Sequence, residues 1–175
     1  MGRDESEEAT ELLKTIGDFE RISDHAVNIL SSAEEMEQKG LMFSGSALNE
    51  LAILTSAIRE ILSLSLKSFS SQDVALAQQV EPLEQVIDTL KEQMRTRHIL
   101  RMQRGACSIE AGFVWSDLLT DLERISDHCS NIAVSLIETS AGSFDTHEYL
   151  SEVKEGGSKD YTDLYHAYTK KYALQ

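Results

Sequence analysis

The chain contains the same short segment twice, with 103 residues between equivalent positions. Residues 18–28 read DFERISDHAVN and residues 121–131 read DLERISDHCSN, so eight of the eleven positions are identical. Apolar residues recur at steps of three and four in both copies, which is the spacing of one face of an α-helix. The polar residues also recur one by one, although helix packing gives no reason for that. A duplicated helix with a shared polar task explains the pattern best.

The same periodicity extends over most of the chain. Apolar stripes predict four long helices, over residues 7–39, 46–70, 73–105 and 108–140. Gly40 and Gly105 supply the stops of the first and third helices, and Asp73 can cap the third. Pro82 lies inside the third pattern, so we expect a kink or a break there. No segment has the alternation of a strand, and the predicted fold class is an all-α antiparallel helical bundle.

The stripes also predict which side chains form the core. These are Leu12, Ile16, Phe19, Ile22, Ala26 and Ile29 in the first helix, Leu51, Leu54, Ile58 and Ile61 in the second, Leu83, Ile87, Leu90 and Met94 in the third, and Leu122, Ile125, Cys129, Ile132 and Leu136 in the fourth. With 41% hydrophobic residues among 175, the chain can bury one core. Cys107 and Cys129 form no Cys-x-x-Cys pair, which predicts free thiols inside the protein.

The last part of the chain differs from the bundle predicted over residues 1–140. Residues 141–175 contain all five tyrosines, which are Tyr149, Tyr161, Tyr165, Tyr168 and Tyr172. The pattern predicts a short helix over 145–154 and a final helix capped by Ser158. Four of the tyrosines fall on one helical stripe, which indicates either a helix that docks on the bundle or a surface that binds a partner protein.

The charge of the chain restricts its partners. Asp and Glu outnumber Lys and Arg by 30 to 16, and the net charge of −14 argues against binding to nucleic acid. No stretch approaches the roughly 20 apolar residues of a membrane span, and a polar run directly follows Met1. We therefore expect the chain as given to be soluble and intracellular.

Basic residues gather at the end of the third helix, where Arg95, Arg97, Arg101 and Arg104 follow one another closely. They can stabilise the negative end of the helix dipole, or they can contact an anionic membrane face. His98 lies among them and belongs to no recognisable constellation, so we expect it on the surface, as we do His147 and His166.

Each copy of the repeat carries a row of oxygen-bearing side chains at steps of four. The rows are Glu20, Asp24 and Asn28 in the first copy, and Glu123, Asp127 and Asn131 in the second. Side chains four residues apart lie one above the other on the same helix face. A carboxylate row beside an apolar stripe is expected to be partly buried against a neighbour, and it then needs a counter-charge. Arg21 and Arg124 can supply that charge across the bundle, or the oxygens can bind a hard cation.

The third helix offers a matching pair of carboxylates. Glu84 and Asp88 have the same spacing and again flank the apolar stripe. Together with Glu123 and Asp127 they would form an oxygen-rich site between two antiparallel helices, as in the carboxylate sites of four-helix proteins. Such oxygen ligands favour magnesium, manganese or iron over copper, and they suit zinc less well.

The remaining polar residues of the repeat are expected to support such a site rather than to ligate a metal. His25 and His128 each follow the aspartate of their row and point about 100° away from it around the helix. The residues expected to orient or neutralise the ligating carboxylates are Arg21, His25, Asn28, Arg124, His128 and Asn131.

These motifs resemble those of the PhoU family of phosphate-regulatory proteins, which consist of tandem three-helix repeats. The last helix of a repeat carries a Glu-Arg-Ile-x-Asp-His-x-x-Asn motif, matched here at 20–28 and 123–131, and the helix before it carries the acidic pair matched at Glu84 and Asp88. The resemblance implies a multinuclear metal site, often of iron, at Glu84, Asp88, Glu123 and Asp127. It implies that residues 7–39 are the closing helix of one repeat and residues 46–140 a complete second repeat, so that Glu20 and Asp24 form half of a site.

The tyrosine-rich end of the chain is similar to the tail of sodium–phosphate cotransporters that bear a cytoplasmic PhoU-like domain. This similarity implies a regulatory domain, not an enzyme, at the cytoplasmic face of the inner membrane as part of a longer transporter. The implied partners are the membrane domain of the same chain, a second copy in a homodimer, and phosphate-signalling proteins. The implied cofactor is a metal ion: iron, manganese, magnesium or zinc.

A second function remains open on the residues alone. The carboxylates can be paired with arginines inside a structural helical scaffold, and the tyrosine tail can recruit a partner protein. Chelation of metal would leave the stability of such a scaffold unchanged, whereas it would destabilise a protein that binds metal only when folded.

Overall fold

A computed structural model of the chain describes residues 3–141 and 159–174. The helices of this part are α1 (Arg3–Lys39), α2 (Gly45–Ser71), α3 (Val74–Ala77), α4 (Val80–Gln103), α5 (Ile109–Ala141) and α6 (Lys159–Lys171). No strand occurs within the described ranges, and the predicted all-α fold is confirmed. None of the described helices is apolar over a stretch long enough to cross a membrane.

The helix ends follow the local chemistry of the sequence. Gly40 and Gly105 adopt positive φ angles of 60° and 69° after α1 and α4, a conformation that costs glycine little. The Asp73 carboxylate accepts hydrogen bonds from the backbone N–H groups of Ala75 and Leu76, at 2.9 and 3.1 Å. The helix predicted to begin at Asp73 is broken after Ala77, as expected near Pro82. Pro82 lies in the first turn of α4, where its missing N–H breaks no hydrogen bond.

The core lies between α2, α4 and α5. The side chains predicted to face inward on α4 and α5 are all buried, and so are those of α2 except the half-buried Leu51. Trp115 on α5 is among the largest fully buried side chains and packs edge-on against Phe43 at 5.0 Å between ring centroids. Both cysteines are free, with Cys129 buried and Cys107 half-buried.

The predicted core face of α1 is only partly correct. Ile22 and Ile29 pack against the core, but Leu12 is 48% exposed, Ile16 is 60% exposed, and Ala26 is also exposed. The reason is that α1 lies mainly along one neighbour, α5. A helix with one neighbour buries a narrow strip, whereas the apolar residues of α1 spread over a wider face.

The final helix, α6, packs against the bundle beside α4. Tyr168 and Tyr172 are buried there, the Tyr172 hydroxyl donates to the Glu60 carboxylate, and Lys171 Nζ lies 2.6 Å from the same carboxylate. The tyrosine stripe of α6 therefore faces this chain's own core. The helix predicted over 145–154, the Ser158 cap, Tyr149 and His147 lie outside the described residues.

Candidate metal centre

Three carboxylates from two helices meet between α4 and α5. Glu84 and Asp88 lie one turn apart on α4, and Asp127 lies opposite on α5. Each offers one oxygen, and these three oxygens lie within 4.8 Å of one another. We call these residues the carboxylate cluster. The spacing of four residues along α4 and the close packing of the two helices are sufficient to bring the groups together.

The environment of the cluster disfavours three negative charges. The Glu84 side chain is buried, and its burial, together with the charges of Glu81, Asp88 and Asp127, raises its pKa to about 8. Burial and the neighbouring carboxylates also raise the pKa of Asp88 and of Asp127. Oδ1 of Asp88 is buried and has no hydrogen-bond partner. A cation would supply the missing partner and relieve the repulsion, so these residues fit a hard metal ion.

Glu123, the fourth predicted ligand, lies at the edge of the cluster and binds a lysine instead. Its carboxylate is 2.9 Å from Nζ of Lys91, and both side chains are largely buried. Arg124 lies on the outer side, 3.2 Å from the Asp127 carboxylate and 3.8 Å from that of Glu123. Arg124 therefore pairs with carboxylates of its own helix, whereas the sequence suggested a pairing across the bundle.

Two residues near the cluster were missed in the sequence. Glu81 lies one turn before Glu84, is 8% exposed, and accepts a hydrogen bond from the Ser130 hydroxyl at 2.5 Å. Its spacing of three residues from Glu84 was a signal for a shared face. Tyr161 of α6 lies nearby: burial, with the charges of Glu81 and Glu84, raises its pKa to about 12. No local pattern connects Tyr161 with residues 80 positions earlier.

The first copy of the repeat forms no such cluster in the described part of the chain. Glu20, Asp24, Asn28 and Arg21 are all exposed on α1, so the expectation of a partly buried carboxylate row is wrong for this copy. The physical reason is the orientation of α1. Its contact with α5 uses His25 and Asn28, and the carboxylates of Glu20 and Asp24 lie outside that contact.

The histidines of the two copies join α1 to α5 by equivalent contacts. Nδ1 of His25 lies 2.7 Å from the Asp121 carboxylate, and Nδ1 of His128 lies 2.8 Å from the Asp18 carboxylate. The two imidazole rings stack on each other, with 5.8 Å between their centroids. Each aspartate is the first residue of one copy and receives the histidine of the other, so the contact has the symmetry of the repeat.

The asparagines of the repeat complete this contact, which we call the histidine clasp. Nδ2 of Asn28 donates to Asp121 at 3.1 Å, and Nδ2 of Asn131 donates to Asp18 at 3.3 Å. The structure thus pairs the histidines and asparagines with aspartates between helices, where they were expected beside the metal ligands. Asp18 and Asp121 were missed as functional residues, although their identity in both copies was a signal.

Fold and site together define a class, that of helical bundles with a cluster of carboxylates between two packed helices. Residues 51–136 match the PhoU domain. This part of the chain belongs to the PhoU domain family, and the predicted family resemblance is confirmed. The similarity to the tail of sodium–phosphate cotransporters stays a prediction. No solved structure matches the chain significantly.

Three curated relatives are similar over most of the chain. The phosphate-specific transport system accessory protein PhoU homolog 1 of Thermotoga maritima is 28% identical over 145 residues, which are 83% of this chain and 61% of the relative. A PhoU homolog of Pseudomonas aeruginosa is 28% identical over 144 residues, 81% of this chain and 58% of the relative. A PhoU homolog of Deinococcus radiodurans is 24% identical over 125 residues, which are 70% of this chain and 56% of the relative. The chain therefore spans less than two thirds of the length of these relatives.

Proposed function

We propose that this protein is a non-catalytic regulatory domain of phosphate uptake that binds a divalent or trivalent cation between α4 and α5. The carboxylate cluster carries the proposal, because its three oxygens lie within 4.8 Å of one another in a region that matches the PhoU domain. The relatives are named as accessory proteins of a phosphate-specific transport system, which supports the regulatory part of the proposal.

Glu84, Asp88 and Asp127 would hold the cation. Their ligand atoms are all carboxylate oxygens, which suit iron, manganese or magnesium, and zinc less well. The bound ion would neutralise charges that burial and mutual repulsion now disfavour. Glu123 would join the site as a further ligand only by giving up Lys91, its present partner.

The regulatory role requires a partner, and the proposed one is the membrane domain of a sodium-dependent phosphate transporter in the same chain, at the cytoplasmic face of the inner membrane. A second copy of the chain and phosphate-signalling proteins are the further proposed partners. The exposed face of α1 supports a contact of this kind, because it carries large apolar side chains at the surface. They are Leu12, Leu13, Ile16, Val27 and Leu30.

The alternative is a structural scaffold with no metal. The ion pairs of Lys91 with Glu123 and of Arg124 with Asp127 favour it, because they neutralise part of the negative charge. The alternative also assigns the tyrosine tail to partner binding. The burial of Tyr168 and Tyr172 against the chain's own bundle argues against that part.

Metal analysis of two matched variants tests the proposal. We expect purified protein to bind iron or manganese in a calorimetric titration, Asp127→Asn to lose that binding, and Asp24→Asn, the equivalent change in the exposed copy, to keep it. Chelation should lower the melting temperature of the wild type and leave that of Asp127→Asn unchanged.

The scaffold is favoured instead if the wild type takes up no di- or trivalent metal and chelation changes nothing. The regulatory part has its own readout. Phosphate uptake by cells that depend on the wild-type protein should change when Asp127→Asn replaces it, and equal uptake with both proteins would contradict the regulatory proposal.

A further inference from the structure

Three side chains with soft donor atoms come together where α4 ends and α5 begins. Sγ of Cys107 lies 3.7 Å from Nε2 of His98. Met102 lies one turn after His98 on α4, and both side chains point towards Gly112 of α5. A methyl group added at Gly112 would lie 2.8 Å from Met102 Sδ and 3.3 Å from His98 Nε2. A thiol and a thioether therefore both lie near the same imidazole nitrogen.

His98 is held in a fixed position inside the protein. It is 3% exposed, so the expectation of a surface histidine at position 98 is wrong. Its position continues the apolar stripe of α4 one turn beyond Met94, and its ring stacks on that of Trp115 with 5.4 Å between the centroids. Nδ1 has no hydrogen-bond partner, and Nε2 contacts the Cys107 thiol, which is a weak one. Buried polar groups normally have stronger partners, so this ring has unused capacity to bind.

The contact between Cys107 and His98 joins two neutral groups. Burial raises the pKa of the thiol, and burial together with the charge of Arg101 lowers the pKa of the imidazole. The pair therefore lacks the thiolate that makes a cysteine nucleophilic. One proton lies between the sulfur and the nitrogen, and a metal ion can take its place, because metals bind the deprotonated thiol and the neutral imidazole.

The separation of the two atoms suits an ion between them. Metals of the first transition row bind histidine nitrogen at about 2.0 Å and cysteine sulfur at about 2.3 Å. Bonds of these lengths span the observed 3.7 Å when the angle at the ion is about 120°, which is a trigonal arrangement. The ion thus needs no empty cavity, since it replaces the proton in an existing contact. Met102 can supply the third ligand, because its thioether is carried by a flexible side chain.

The donors and the nearby charge favour a soft monovalent ion. Thiolate and thioether ligands select copper(I), whereas zinc is bound by Cys, His and carboxylate ligands. The charge of Arg101 acts on both Cys107 and His98. A monovalent ion on a thiolate leaves the site neutral, but a divalent ion would bury a positive charge beside Arg101, which is unfavourable.

We propose that Cys107, His98 and Met102 form a binding site for copper(I). The thiolate sulfur, Nε2 of the imidazole and the thioether sulfur bind the ion, and the thiol proton is released to the solvent. Cys107 and Met102 are only half-buried, which gives the ion a path from the surface. The site does not depend on the proposed function, because it shares no residue with the carboxylate cluster.

Competition with the copper(I) chelator bicinchoninate, in ascorbate and without oxygen, measures the affinity. We expect one equivalent of copper(I) to bind and to quench the fluorescence of Trp115, which is the only tryptophan of the chain and stacks on His98. Zinc(II) should bind more weakly, as measured by calorimetry. Tighter binding of zinc(II) than of copper(I) would contradict the assignment of a soft monovalent ion.

Matched variants locate the site. Cys107→Ala should weaken copper(I) binding about 100-fold or more, since it removes a ligand, whereas Cys129→Ala removes the other thiol and should leave the affinity within about twofold. Met102→Leu should weaken binding about tenfold, and Met42→Leu, at a position that is 83% exposed, should not change it. Circular dichroism shows that each variant is folded, and the methionine pair tests the site even if Cys129→Ala is unstable.

Gly112→Ala tests the geometry without removing a ligand. Its methyl group would meet Met102 Sδ at 2.8 Å and displace the thioether. We expect copper(I) binding to weaken as much as in Met102→Leu. Gly17→Ala is the control, because a methyl group at this helical glycine has open space around it. Unchanged affinity in Gly112→Ala and Met102→Leu would contradict the role of the thioether.

The copper(I) site and the carboxylate cluster should bind independently. Asp127→Asn should keep the wild-type affinity for copper(I), and Cys107→Ala should keep the iron or manganese titration of the wild type. The inference is overturned if the protein takes no copper(I) from bicinchoninate, or if Cys107→Ala and Cys129→Ala lose binding equally. Loss of copper(I) binding in Asp127→Asn would also overturn it, because the ion would then lie at the carboxylate cluster. None of these outcomes alters the metal titration on which the proposed function depends.

Discussion

The duplicated segment has two different environments in one molecule. In α5 its carboxylate row faces α4, where Asp127 meets Glu84 and Asp88. In α1 the equivalent Asp24 is exposed, and the side of the segment that is used contacts α5 through His25. Eight of eleven residues are the same in both copies, so the difference arises from the neighbours of each helix and not from its own sequence.

This difference separates two tasks of the repeat. The histidine and asparagine of each copy bind an aspartate of the other, and both copies perform this task equally. The carboxylate row meets other carboxylates only in the second copy, where Glu84 and Asp88 of α4 lie opposite. The repeat therefore holds the two helices together with one face and builds the proposed cation site with another.

The largest expected difference between the copies concerns metal. We expect Asp127→Asn to lower the affinity for iron or manganese by 100-fold or more, about 3 kcal/mol, because one of three carboxylate ligands loses its charge. Asp24→Asn should change the affinity by less than twofold, since its carboxylate is exposed and is not part of the carboxylate cluster. Calorimetric titration compares the two, and equal losses would mean that the first copy also contributes ligands.

The next difference concerns the pH dependence of stability. The pKa of Glu84 is raised from 4.5 to about 8 in the folded protein. As pH rises, the unfolded chain therefore releases this proton before the folded protein does. The metal-free protein should lose stability between about pH 4.5 and about pH 8. Glu84→Gln cannot ionise, and it should stabilise the metal-free protein at pH 7 by about 1 to 3 kcal/mol. It should also weaken metal binding.

Urea unfolding at several pH values checks this expectation. Glu20→Gln, the same change at an exposed position of α1, is the control and should leave the pH profile unaltered. If Glu84→Gln loses stability at pH 7 relative to the wild type, the carboxylate contributes a favourable contact that outweighs its burial.

Removal of either aspartate of the histidine clasp should lower the stability of the protein by a similar amount. Asp121→Ala leaves His25 and Asn28 without their acceptor, and Asp18→Ala does the same to His128 and Asn131. Each should destabilise the protein by about 1 to 2 kcal/mol, because two hydrogen bonds are lost, one from a half-buried histidine and one from an exposed asparagine.

Chemical denaturation measures these losses against Asp117→Ala, an exposed aspartate one turn from Asp121 on α5. This control should fall within about 0.5 kcal/mol of the wild type. Strongly unequal effects of Asp18→Ala and Asp121→Ala would break the symmetry of the clasp.

The smallest expected effect concerns Lys91, which has no equivalent in the first copy. Because Lys91 occupies Glu123 at 2.9 Å, Lys91→Met should free that carboxylate and tighten metal binding about tenfold, close to 1.4 kcal/mol. The metal-free variant should be less stable, since the cluster loses a nearby cation. Arg124→Met is the control, because the Arg124 side chain is 56% exposed and its charge is screened by water. Weaker metal binding in Lys91→Met would contradict the prediction and show that the lysine supports the site.

The parts of the fold that were predictable rest on local physics. The apolar stripe of α4 identified its buried face, because every turn of the helix lies between two neighbours and all stripe residues are buried. The stripe of α1 was misleading at Leu12 and Ile16 since periodicity identifies an apolar face but not how much of it a neighbour covers. His98 was expected on the surface because it lies within a run of basic residues. It is only 3% exposed, since its position continues the apolar stripe of α4 one turn beyond Met94.

The candidate site was predictable to a similar extent. Glu84, Asp88 and Asp127 were identified by their spacing, which on a helix fixes direction as well as distance. The pairing of Glu123 with Lys91 was not predictable, because a long side chain chooses among several partners according to the positions of the neighbouring helices.

The sequence by itself determined the helices, their ends, the duplicated segment and the identity of three carboxylates, because each of these depends on residues within a few turns of one another. Only the tertiary structure decided that Glu123 pairs with Lys91 and that the histidines join α1 to α5. These features depend on the packing of helices that are distant in sequence, and the energies of burial, repulsion and pairing that govern them arise only when the helices meet.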